Sequence, residues 1–84
     1  ELVSFEKSKF ELIEYTVCDD DTLLIGKCLS EIPFPKHCLV TAIVRENDLV
    51  TPKGSTTLKA GDDLFILTRY KDKEELLNVL SCAD

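Results

Sequence analysis

The sequence predicts a small single-domain α+β fold, and three features of its patterning carry that expectation. Three stretches alternate or run apolar at strand length, two others place apolar residues at helical spacing, and clusters of Gly, Pro and Asp punctuate the joins. The resulting order is β-α-β-β-β-α, expected to build a mixed sheet with helices packed on it.

Residues 1–9 mix charges with Leu2, Val3 and Phe5 and read as a connecting segment, which sets the domain proper at residues 10–81. From Phe10 to Cys18 the chain alternates, with Glu11, Ile13, Tyr15 and Val17 on one face and Phe10 and Leu12 on the other. Asp19-Asp20-Asp21-Thr22 stops that strand and supplies a cap and negative charge for a following helix. Leu24, Cys28, Leu29 and Ile32 lie at helical spacing, so a short helix is expected from Leu23 to Ile32, with Gly26 weakening it and marking a close backbone approach. Pro33 and Pro35 end it.

Cys38 to Arg45 is nearly all apolar or β-branched, the pattern of a central strand covered on both faces. Glu46-Asn47-Asp48 turns it into a short hairpin arm, Leu49-Val50-Thr51, and Pro52 places the end of that arm at an edge or bend. A loop at Lys53-Gly54-Ser55-Thr56 and a turn at Lys59-Ala60-Gly61-Asp62 lead into the last strand, Asp63 to Arg69. There Leu64, Ile66 and Thr68 oppose Phe65 and Leu67. Asp72 and Glu75 are spaced as a capping box for a helix from Lys73 to about Leu80, with Leu76, Leu77, Val79 and Leu80 on its apolar side.

With 84 residues, the chain buries about 60–65% of its unfolded surface, so pairing through an apolar face is an attractive way to add burial. Hydrophobic residues make up 44% and charged residues 31%, values of an ordinary globular chain. No apolar run approaches the roughly 18 residues that span a bilayer, and no signal peptide is legible, so the segment is expected to be soluble. A net charge of −6 with no basic stretch interleaved with aromatics argues against nucleic acid and against an anionic membrane surface. Cys18, Cys28, Cys38 and Cys82 include no C-x-x-C pair, so they read as reduced thiols packed as small hydrophobes, with no metal site and no cofactor implied.

The residues that invite chemistry are few. His37, between Lys36 and Cys38, has no sequence neighbour to act as nucleophile or orienting acid, and reads as a solvated loop residue. The Asp19–Asp21 run lacks the spaced ligands of a calcium loop. Lys53-Gly54-Ser55-Thr56 lacks the upstream glycine and following helix of a phosphate loop. Arg45, ending an apolar strand, suits either an ion pair with one of many acids or bidentate capture of an anion. No catalytic constellation emerges, so an enzyme is not expected.

The order of motifs is more specific than any one of them. Leu24-Ile25-Gly26-Lys27 with Leu29, then Val40-Thr41-Ala42-Ile43-Val44-Arg45, then Pro52-Lys53-Gly54-Ser55-Thr56, then Leu58-Lys59-Ala60-Gly61-Asp62-Asp63-Leu64 resembles the TrkA-C domain, the C-terminal half of the RCK domain. The resemblance covers roughly Phe10 to Leu80. It implies a regulatory module on the cytoplasmic side of a cell membrane, fused to or associated with a potassium uptake system, a cation/proton antiporter or a ClC-type chloride transporter. It further implies a homodimer and, as in several family members, a small ligand such as cyclic di-AMP at the dimer interface. On that resemblance the candidate ligand-lining residues are Leu39, Val40, Arg45, Asn47 and Pro52. The alternative is a purely structural dimerisation module that binds no ligand.

Overall fold

Alternation decides which side of each strand is buried, and in this chain two strands alternate along their whole length. In a computed structural model, which describes residues 3–5 and 9–80, they are the second and the last. Strands β1 (Val3–Phe5), β2 (Phe10–Thr16), β3 (Leu39–Arg45), β4 (Asp48–Val50) and β5 (Asp63–Arg69) form one sheet in the order β1-β2-β5-β3-β4, followed by helix α1 (Lys73–Val79). Leu64, Ile66 and Thr68 of β5 are fully buried, while Phe65 and Leu67 on its other face are half-buried. In β2 and just beyond it, Glu11, Ile13, Tyr15 and Val17 are buried together, as their spacing predicts. The α+β class holds.

Every pairing in the sheet is antiparallel, so the expected mixed sheet is not what forms. The reason is connectivity. A parallel pair needs a crossover element, and the first predicted helix, which would have supplied one, does not form. Residues 22–26 instead make consecutive turns, and a single 3-10 turn follows at Leu29–Glu31. Gly26 adopts φ +83, a left-handed conformation that breaks a right-handed helix and that glycine adopts without a steric penalty. Its N–H donates to Leu58 O, and Leu58 N–H donates back to Lys27 O, each at 2.9 Å. Leu29 N–H to Thr56 O and Ser30 N–H to Gly54 O, both 3.0 Å, continue the same cross-chain pairing. Long-range backbone bonds thus replace the intrahelical ones, while Leu24 and Ile32 still reach the core. No atom lies within 4 Å of where a Cβ on Gly26 would stand, so its role is the backbone angle and not the expected close approach.

Two capping expectations also change. The Asp19–Thr22 run caps no helix. Asp21 is buried, and Tyr15 O–H donates to its Oδ2 at 2.8 Å, while its backbone carbonyl accepts from Leu24 and Ile25. At α1, Asp72 occupies the cap position but makes no side-chain cap bond, because its carboxylate accepts from Arg69 Nε. The apolar side of α1 divides: Leu76 and Leu80 are fully buried, Val79 packs against the core, and Leu77 stays exposed.

Strand β3 departs from expectation at one point that matters for function. Val40 pairs with Ile66 and Ala42 with Phe65, so a bulge at Thr41 shifts the register by one. Val40 and Ile43 both face the core as a result, and Thr41 Oγ1 donates to Phe65 O at 2.9 Å. The strand is not covered on both faces: Leu39, at its start, is 61% exposed. Its hairpin with β4 forms as expected, with Glu46 (φ 51) and Asn47 (φ 70) both left-handed, the pair of angles a two-residue type I′ turn requires. Strand β4 is the sheet edge, in agreement with Pro52 just beyond it. Val3–Phe5, inside the expected connecting segment, pairs with Leu12 to Phe10 at the opposite edge. Cys18, Cys28 and Cys38 are free thiols, and Cys82 lies outside the described residues.

Because Ile66 is fully enclosed at the centre of the sheet, Ile66→Ala is expected to destabilise the fold by about 2–5 kcal/mol in urea unfolding. Leu49→Ala, exposed on β4, is expected to change it by less than about 0.5 kcal/mol in the monomer.

Candidate functional site

An arginine ending an apolar strand has to find a carboxylate or an anion, and here it finds Asp62. Arg45 Nε donates to Asp62 Oδ1 and Nη2 to Oδ2, both at 2.8 Å, a bidentate pair. Nη2 also donates to Thr57 O at 2.9 Å. Asp62 is fully buried, whereas the Arg45 side chain keeps 23% exposure. Lys59 N–H donates to the same carboxylate at 2.9 Å. Burial pushes the Asp62 carboxyl up, but the hydrogen bonds from Arg45 and from Lys59 N–H outweigh it and hold it below the usual aspartate range. In return the Arg45 guanidinium is pushed up, chiefly by its bonds to Asp62. Of the two readings the sequence left open for Arg45, the ion pair is present. Its partner, in the Gly-Asp turn, went unnamed from sequence because nothing local shows which acid the β3–β5 register brings alongside.

The remaining ligand candidates do not gather in one place within a single chain. Leu39 and Val40 begin β3, opposite Leu67 and Ile66. Arg45 ends the strand and Asn47, exposed, sits in the hairpin turn. Six residue steps along the strand separate Leu39 from Arg45, about 20 Å at roughly 3.3 Å per residue. Pro52 is half-buried just past β4.

What the structure adds is the sheet's outer face. Leu12, Leu67 and Leu39 line up across β2, β5 and β3, and Val44 and Leu49 pair across β3 and β4. Phe65 stands between these rows, opposite Ala42. Leu49 is 78% exposed, and no helix or loop element among the described residues packs over this face extensively enough to bury any of these side chains. The signal was present in the sequence as the opposite phase of each alternation, masked in β3 by the bulge.

Other candidates are structural or solvated. His37 is exposed in the turn before β3. Thr56 Oγ1 accepts from Lys53 N–H (2.9 Å) and donates to Thr51 O (2.8 Å), which closes the Pro52–Thr56 loop on itself. Among the described residues no group of three or more His, Cys, Asp or Glu is placed to hold a metal ion, and no helix is long and apolar enough to cross a membrane.

Comparison with known proteins agrees with this geometry. The TrkA-C domain family matches residues 12–81. The Trk system potassium uptake protein TrkA homolog 2 of Methanosarcina mazei is 38% identical over 65 residues, 77% of this chain. The K(+)/H(+) antiporter NhaP2 of Shewanella oneidensis is 35% identical over 79 residues, 94% of this chain. In both cases the match spans 14% of the relative's own length. A solved structure described as an RCK domain with cda superposes with a TM-score of 0.69 at 26% identity, covering 82% of this chain and 96% of that one.

Arg45→Ala leaves a buried carboxylate without its partner, and is expected to cost about 3 kcal/mol, the low end for a broken buried pair because the guanidinium is partly exposed. The pH dependence follows from the sign of the Asp62 shift. A carboxyl held below its unfolded value stabilises the fold fully above about pH 4, and that contribution is lost as pH falls through the lower folded value. Urea unfolding across this range is expected to show the loss in the wild-type chain and a flatter profile in Asp62→Asn.

Proposed function

Because the chain belongs to the TrkA-C domain family, we propose that it is a non-catalytic regulatory module of a potassium or other cation transport system, working as a homodimer on the cytoplasmic side of the membrane. The observation that carries the dimer is the outer sheet face. Leu12, Leu39, Val44, Leu49, Phe65 and Leu67 present a contiguous apolar surface on a domain too small to leave it wet without cost. A two-fold axis through that face gives each chain the same patch on its twin. The membrane part, of the antiporter or uptake type, is supplied by the rest of the same chain or by an associated one, as the relatives suggest.

The ligand-sensing part of the proposal concerns Leu39, Arg45, Asn47 and Pro52; the fifth candidate, Val40, turns its side chain to the core. Their separation in one chain suits a site assembled from two, in which the start of β3 in one copy approaches the hairpin of the other. A cyclic dinucleotide, itself two-fold symmetric, fits such an axis, and the neighbour described as an RCK domain with cda supports a small ligand in this family. Arg45 enters this site already engaged with Asp62, and Nη1 takes part in none of the three bonds described. A ligand that favours the paired state shifts the population towards it, which is the step a transporter reads as a signal.

The Arg45–Asp62 brace also favours a second reading, a structural dimerisation module without a ligand, since the arginine has a sufficient role inside the fold.

Sedimentation velocity is expected to show a dimer for the wild-type chain and a monomer for Leu39→Asp/Leu49→Asp. Both sites are exposed, so the variant is expected to keep its fold. A monomeric wild type at every concentration removes the dimer proposal. Cyclic di-AMP at about 100 times its dissociation constant is expected to stabilise by nearly 3 kcal/mol, seen as several degrees in melting temperature, with the shift reduced in Asn47→Ala. No shift with any cyclic dinucleotide leaves the structural module as the better account. Arg45→Ala is a poor probe here, because it weakens the fold itself.

A further inference from the structure

Where β2 begins and β5 ends, the chain builds a pocket of about 340 Å³ lined by Lys9, Phe10, Arg69, Tyr70 and Lys71. The molecule is acidic, yet three of its 10 cationic side chains line this one recess. Two aromatic rings line it as well, and both stay open to solvent, Phe10 at 37% and Tyr70 at 41%. The lining is held in place. Phe10 and Arg69 are direct cross-strand partners, and Tyr70 N–H donates to Lys9 O at 3.0 Å, which pins the two chain segments together. Lys9 is left-handed, at φ 61, a conformation uncommon outside glycine and asparagine. Arg69 is oriented by Asp72, whose carboxylate accepts from its Nε. Among the described residues neither Lys9 nor Lys71 is in an ion pair.

Clustered like charges repel one another, and the exposed Phe10 ring leaves apolar surface in water, so the combination asks for a ligand that answers both. An anionic group neutralises the lysines and accepts from the arginine fork, and a flat ring stacks on Phe10 or Tyr70. Asp72 sets a limit, since a highly charged polyphosphate would meet its carboxylate, whereas a single phosphate would not need to approach it. The volume lies at the small end for ligand pockets, which favours a small ligand. We propose that this pocket binds a small organophosphate bearing a planar ring, of the nucleoside monophosphate class, with Lys9, Lys71 and Arg69 on the phosphate and Phe10 and Tyr70 on the ring. It lies at the end of β5 remote from the Arg45–Asp62 brace, about 20 Å along the strand. The proposal rests neither on the TrkA-C assignment nor on the cyclic dinucleotide reading.

Amide chemical shifts of the 15N-labelled 84-residue chain, titrated with 5′-AMP, with inorganic phosphate and with phosphatidylglycerol vesicles, test it. The expected result is saturable movement of the Lys9, Phe10, Tyr70 and Lys71 amides with AMP, weakening as salt rises, and about tenfold weaker binding of inorganic phosphate, which has no ring to stack. Lys9→Gln/Lys71→Gln, at exposed positions, is expected to fold normally and to lose most of the AMP response. Tyr70→Ala is expected to bring AMP down towards the affinity of phosphate. Shifts centred on Asn47, an unchanged response in the double lysine variant, or equal binding of phosphate and AMP would each overturn the proposal. Capture by the vesicles in preference to AMP overturns it too, and identifies a lipid headgroup as the anion.

Discussion

One buried carboxylate, that of Asp62, joins more of this molecule than any other group. Its side chain takes two bonds from Arg45 at the end of β3 and one from the Lys59 backbone. Its backbone carbonyl accepts from Val17, beyond β2, at 2.9 Å, and Gly61 N–H returns the bond to Val17 O. Through Arg45 the network reaches Thr57 O, and Thr57 pairs with Cys28 in the turn segment that stands where a helix was expected. Three stretches of chain, around Val17, Arg45 and residues 57–62, therefore meet at the entry to the central strand, and a fourth, at Cys28, joins them through Thr57. A fully buried carboxylate is tolerable only with such a set of donors. Each donor in turn is fixed by serving it.

That network bears on how the outer sheet face can work. The final arginine of β3 anchors it to the turn before β5, and Thr41 at the bulge bonds to Phe65 O, so the hairpin and the apolar rows around Phe65 are tied into one sheet. Rigid, pre-formed surfaces bind with less entropic cost than mobile ones. A regulatory module needs this property on one side and a weak, adjustable contact on the other. On the proposed reading, a ligand at the boundary between two copies would act by shifting how far they pair through this face.

Much of this was legible in the sequence, for identifiable reasons. Strand β5 was readable to the residue because it is flanked on both sides, so that Leu64, Ile66 and Thr68 answer to burial alone. The hairpin was readable because Glu46-Asn47-Asp48 is a local signal between two apolar runs, while its type I′ geometry was not. The segment Leu23–Ile32 was misread because Leu24, Cys28, Leu29 and Ile32 satisfy helical spacing, and periodicity cannot register the bonds from Gly26, Lys27, Leu29 and Ser30 to residues 54–58. The ion-pair reading of Arg45 was open in the sequence, but its partner was not legible, since the pairing depends on register across some 17 residues. The covered-on-both-faces reading of β3 failed for a related reason: a continuous apolar run cannot tell a strand buried on both faces from a strand with one face left open.

The central claim is that the outer sheet face is where two copies of this chain meet, and intermolecular contacts read it most directly. In a sample mixing 13C-labelled and unlabelled chains, isotope-filtered NOE spectra report only proton pairs that cross from one copy to the other. The account predicts such cross-peaks from the methyls of Leu39, Val44 and Leu49 and the ring of Phe65, with none from Leu64 or Ile66. Cross-peaks confined to α1, or to the turns at Leu23–Ile32, would show that the copies pair elsewhere and would contradict the account.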